Sequence, residues 1–72
     1  MNEVTIIEGE GLCVEVIEKL TRQEKKYHQV TIDKQIFYDW QMESTPDMEG
    51  SRVKWFAESD GRYNTLKSIW TV

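Results

Sequence analysis

The side chains best suited to nucleophilic or proton-transfer chemistry are one cysteine, Cys13, and one histidine, His28. Held together they could form a thiolate–imidazolium pair, with Asp33 or Asp39 orienting the ring. Their neighbours argue against it. Cys13 lies in the apolar stretch Leu12-Cys13-Val14, where a buried, inert thiol is expected. His28 follows the basic pair Lys25-Lys26 and reads as the end of a solvated edge. The same two residues supply half of a tetrahedral zinc site at most, with no CxxC or HxxxH pair to complete it. Asp47 and Glu49 could offer oxygens to calcium from the 43–50 loop, but their spacing matches no EF-hand. Thirteen acidic residues contain many pairs of the kind glycoside hydrolysis uses, yet a small acidic chain needs them simply as a solvated surface. Glu8-Gly9-Glu10-Gly11 has closely spaced glycines without the GxGxxG pattern, and its glutamates would repel a phosphate. The chain is therefore expected to have no catalytic residues, no metal site and no cofactor, and not to be an enzyme.

Two binding constellations remain. The first is protein-directed and rests on large rings falling on both faces of single strands, more than a thin core can bury, with acidic residues beside them. Exposed aromatic patches rimmed by charge mark interfaces. Its candidate residues are Phe37, Asp39, Glu43, Asp47, Glu49 and Phe56. The second is nucleic-acid-directed: Arg52, Lys54, Trp55, Arg62, Tyr63 and Lys67 interleave cations with aromatics over 52–67, as on sheet faces that stack single strands. A net charge of −4 works against the second reading. The expected function is a non-enzymatic protein-interaction module, an acidic inhibitor or regulator of a basic partner or a subunit of a larger assembly. Single-stranded nucleic-acid binding is the alternative.

The elements that must position these residues read as strands. Gln35 to Met42 alternates with period two, placing Ile36, Tyr38, Trp40 and Met42 on one face and Phe37, Asp39 and Gln41 on the other. Val30 and Ile32 alternate before it, and the two-residue connection Asp33-Lys34 makes 28–42 a predicted β-hairpin. Val53, Trp55 and Ala57 alternate with Lys54, Phe56 and Glu58. The Asp60-Gly61 turn then leads into the β-favouring run 63–72, a second hairpin. The stretch 8–11 and the loop 44–50 read as further dividers. Residues 12–26 are ambiguous. Leu12, Cys13, Val16, Ile17 and Leu20 would share one face of a helix, and Glu15–Lys19 and Glu18–Arg22 would be favourable i,i+4 pairs. Val14, Val16 and Ile17 equally suit a strand, for which the first arm would be Val4 to Ile7. The expected fold is mainly β, a small antiparallel meander forming a barrel or sandwich of five to six strands. The alternative is α+β, one helix over 12–26 packed on a curved antiparallel sheet.

Length and composition bound these readings. Seventy-two residues make one domain, 1–72, that buries only roughly 60% of its unfolded surface. Its eight aromatics must anchor the core, each burying on the order of 150–250 Å². One cysteine excludes an internal disulfide and, with no signal peptide ahead of the first apolar residues, points to a cytoplasmic protein. No apolar run approaches the roughly 20 residues that cross a bilayer, so no membrane association is expected. Charge is uneven: residues 1–20 carry five glutamates against Lys19, whereas 51–72 carry four bases against two acids. Oligomeric state is left open by the sequence.

Overall fold

The computed structural model describes residues 3–40 and 45–72. Five strands, β1 (Thr5–Leu20), β2 (Lys26–Ile32), β3 (Gln35–Asp39), β4 (Arg52–Ser59) and β5 (Asn64–Thr71), close into a barrel, and a 3-10 turn, η1 (Thr45–Met48), lies between β3 and β4. The mainly β barrel expected from periodicity is present, and the helical alternative over 12–26 is not. The spatial order is β1-β2-β3-β5-β4. It departs from a plain meander because β4 returns to lie beside β1, a Greek-key arrangement. β5 then closes the ring, pairing antiparallel with β4 and parallel with β3 at Tyr38↔Thr65.

β1 serves two partners. Thr5 to Leu12 pair with β4, and Cys13 to Leu20 pair with β2, the register shifting at Cys13/Glu15. The extra residue bends the strand from one neighbour to the next. Leu20 ends it because Thr21 organises a tight connection: its hydroxyl accepts from the Gln23 and Lys25 amides at 3.2 and 3.1 Å. Glu24 takes φ = 62°, so the turn forms without the glycine or asparagine that normally signals it.

The expected divider at 8–11 is not a turn. Gly9 and Gly11 lie inside β1 and allow close packing instead. A Cβ at Gly9 would stand 2.8 Å from Cζ2 of Trp55, and one at Gly11 would collide with the Asp33 carboxylate. That carboxylate accepts from the Leu12 amide, while the Asp33 amide donates to the Leu12 carbonyl. Asp33, at φ = 54°, opens the two-residue β2–β3 turn, so Gly11 clamps the hairpin tip onto β1. Gly11→Ala is expected to destabilise the protein by about 1–3 kcal/mol, the range for a methyl forced into filled space. A urea midpoint equal to that of the parent would contradict this packing.

The barrel interior holds Cys13, Val30, Ile32, Phe37, Val53, Trp55, Ala57 and Leu66, with Met48 of η1 packed against them. The period-two readings of β2, β3 and β4 are matched by burial: Val30 and Ile32, Phe37 and Asp39, and Val53, Trp55 and Ala57 point inward. β4 and β5 form the second expected hairpin, turned by Gly61 at φ = 91°. No helix among the described residues is long and apolar enough to cross a membrane.

Candidate nucleic-acid interface

Burying Phe37 turns the other face of β3 outward. Tyr38 is half-buried and Trp40 is 40% exposed. The hairpin register pairs Gln29 with Tyr38 and His28 with Asp39, which brings Tyr27 to the same outer surface. Its ring centroid lies 4.7 Å from that of Trp40 and 5.9 Å from that of Tyr38. The parallel β3–β5 contact at Tyr38↔Thr65 brings the β4–β5 loop alongside, and Tyr63 meets Tyr38 edge-on at 5.6 Å. Four rings thus run in the order Trp40, Tyr27, Tyr38, Tyr63.

A cation stands at each end of this row. Lys25 Nζ, from the β1–β2 connection, lies 5.2 Å from the Trp40 ring, and the Arg62 guanidinium, from the β4–β5 loop, lies 5.6 Å from the Tyr63 ring. The rings line an open cleft of about 480 Å³ together with Thr21, Asp60 and Thr65. Asp60 is held by its own turn. Its Oδ1 accepts from the Arg62 and Tyr63 amides, each at 2.8 Å. The Tyr63 amide, then the Arg62 amide, hold its carboxyl below the ordinary carboxylate range. The cleft therefore offers aromatic surface with a positive charge over the ring at each end, and hydroxyls and one carboxylate among the rings.

The residues proposed from sequence are distributed differently. Of the nucleic-acid set, Arg62 and Tyr63 belong to the cleft. Trp55 does not: it is 7% exposed and packs on Phe37 at 4.5 Å, so its ring fills the core instead of presenting a face to a base. Arg52 lies on the outer face of β4, paired with Glu10 at 2.6 Å, and Lys67 of β5 lies 3.6 Å from Glu58. Lys54 lines a shallow groove with Glu8, Gly9, Glu10, Trp55 and Trp70. In the protein-directed set, Phe37 and Asp39 are inside the barrel, 0% and 4% exposed, and so cannot contribute to a surface patch. Thr45 donates to Asp39, and His28 Nδ1 lies 3.9 Å from it. Asp47 is exposed on η1, Glu49 accepts from the Val16 amide at 3.3 Å, and Phe56 is half-buried on the outer side of β4. Glu43 lies outside the described residues.

Cys13 and His28 do not meet. Cys13 pairs with Ile32 and His28 lies four positions earlier on β2, roughly 13 Å away at 3.3 Å per residue. Burial, then the charge of Glu49, pushes the Cys13 thiol up, away from the thiolate a nucleophile needs. Among the described residues no group of three or more His, Cys, Asp or Glu is placed to hold a metal ion.

Comparison with protein-family models, with curated proteins and with solved structures gave no match.

Proposed function

We propose that the protein binds single-stranded nucleic acid along the Trp40-Tyr27-Tyr38-Tyr63 row. The observation that carries this reading is the row itself, four rings at centroid spacings of 4.7, 5.9 and 5.6 Å with Lys25 and Arg62 at its ends. Unpaired bases stack on such rings at about 1–3 kcal/mol each, and cations beside the rings meet the phosphates. Placement adds support. Five-stranded Greek-key barrels of the OB type hold oligonucleotides and oligosaccharides on the β2–β3 face and the β1–β2 and β4–β5 loops. Those are the elements that build this cleft. A fold does not assign a function, but here the chemistry of the side chains agrees with the position.

The overall charge of −4 opposes a polyanion, so stacking has to supply most of the affinity. With two cations meeting phosphates, the slope of log K against log salt should be only about −1.4, a loss of about sevenfold between 50 and 200 mM. Fluorescence polarisation of labelled single-stranded DNA and RNA, with duplex as competitor, tests this. Binding to single strands with that shallow slope is expected. Equal affinity for duplex, or a slope several times steeper, would contradict a stacking site.

A protein partner is the second reading, favoured by a different surface. Ile6, Leu12 and Trp70 are 52%, 44% and 47% exposed on the outer side of β1 and β5, the side that Phe56 of β4 shares. Apolar side chains on one face, interspersed with Glu8, Glu10, Arg52 and Lys54, suit a protein interface with a charged rim.

A further inference from the structure

A carboxylate among the rings of a cleft that must accept phosphates needs a reason. Asp60 lines the cleft with Tyr63 and Thr65, and its charge would repel a backbone passing close by. Towards a base edge the same group is favourable. Oδ1 is fixed by the Arg62 and Tyr63 amides, while among the described residues no hydrogen bond from another residue reaches Oδ2. The carboxylate is thus oriented by the turn that also places Tyr63 and has acceptor capacity left over.

We propose that Asp60 makes the cleft selective for guanine, reading the Watson–Crick edge of a base stacked beside Tyr63. This rests on the nucleic-acid reading above. In a single strand that edge is free to be read. Guanine alone presents two adjacent donors there, N1–H and the N2 amino group, which can share the two free lone pairs of Oδ2. Cytosine and adenine each set an acceptor nitrogen beside their single amino group, and thymine and uracil flank one N–H with two carbonyls. Each of these turns at least one lone pair towards Asp60. The Thr65 hydroxyl, which donates or accepts with equal ease, discriminates far less.

The test uses thymine nonamers carrying one central guanine, inosine, adenine or cytosine, titrated against the parent protein and Asp60→Asn. Asparagine keeps an oxygen for the Arg62 and Tyr63 amides and replaces the second acceptor with a donor, so the loop is retained. The Tyr63 amide resonance checks that it is. The guanine oligonucleotide should bind roughly 5-fold tighter than the adenine or all-thymine one, the lower end of the range for a base-edge contact, because only one carboxylate oxygen is free to take part. Inosine, which lacks the N2 amino group, should fall between. Asp60→Asn should abolish the guanine preference without abolishing binding to thymine. Binding of all oligonucleotides with equal affinity, or a guanine preference that survives Asp60→Asn, would overturn the selectivity while leaving the stacking site intact. Failure of every oligonucleotide to bind would overturn both.

Discussion

Phe37→Ala is expected to remove about 3–5 kcal/mol of stability, the cost of deleting a buried aromatic ring from a core that cannot collapse around the void. Phe37 is fully buried and packs on Trp55 at 4.5 Å, so the substitution strips contacts from the second large ring as well. A chain of 72 residues has a total stability of roughly 4–11 kcal/mol. The variant should accordingly lose about a quarter of the total stability or more and melt at a clearly lower temperature. Thermal and urea unfolding followed by tryptophan fluorescence measure this directly. A loss below about 1 kcal/mol would mean that Phe37 is not central to the core.

That core was half legible in the sequence. Period-two alternation located β3 and separated Phe37 from Tyr38 and Trp40, but it could not say which set faces inward. The misleading residue was Asp39, which shares a side with Phe37 and made that side look solvated. Inside the barrel it accepts from Thr45, six positions away, and lies across the hairpin from His28, neighbours that only folding brings to it. β1 was obscured for a related reason. Gly9 and Gly11 read as a turn because glycine usually serves backbone freedom, whereas here it serves the close approach of Trp55 and Asp33. The Thr21–Lys25 connection left no conventional turn residue to read. The parallel β3–β5 contact follows from barrel closure and has no local sequence signal at all.

The cleft was closer to the surface of the sequence than its candidate residues suggest. Arg62 and Tyr63 were identified from the alternation of cations and aromatics, but Trp55 drew the reading towards β4, whose inward alternation with Val53 and Ala57 marks it as core. The missed residues are Tyr27, Tyr38 and Trp40 with Lys25 and Asp60. A hairpin with a two-residue turn at 33–34 fixes its own register, and extending the pairing of His28 with Asp39 by one step sets Tyr27 opposite Trp40. Cross-strand aromatic pairing was thus derivable from turn length alone. That Tyr63 and Arg62 join the row was not, because it depends on β5 crossing to β3.

Trp40→Ala is expected to weaken binding of single-stranded oligonucleotides by roughly 5- to 150-fold, the equivalent of about 1–3 kcal/mol for one lost stacking platform. Trp40 lies just beyond the end of β3, is 40% exposed and packs on Tyr27 at 4.7 Å, so the substitution also lowers the urea midpoint and affinities are compared where both proteins are fully folded. Its removal also deprives Lys25 of the ring it rests on, which adds to the effect. Trp70→Ala is the control. Trp70 is similarly exposed, at 47%, but lies on β5 beside Lys54 and away from the row. Its replacement should leave affinity within about twofold, well under the effect expected of a stacking residue. Equal losses from the two variants would remove the special standing of the β2–β3 face.

Whether ligand contacts are confined to the aromatic row is read most directly by titrating a thymine oligonucleotide into isotopically labelled protein and following each backbone amide by NMR. Shifts should concentrate at Lys25, Tyr27, Tyr38, Trp40 and Asp60 through Thr65, saturate together, and leave Ile6, Leu12, Phe56 and Trp70 in place. Shifts centred instead on the outer side of β1, β4 and β5, or no shift at about millimolar oligonucleotide, far above the affinities that stacking on several rings provides, would contradict a nucleic-acid site on this cleft.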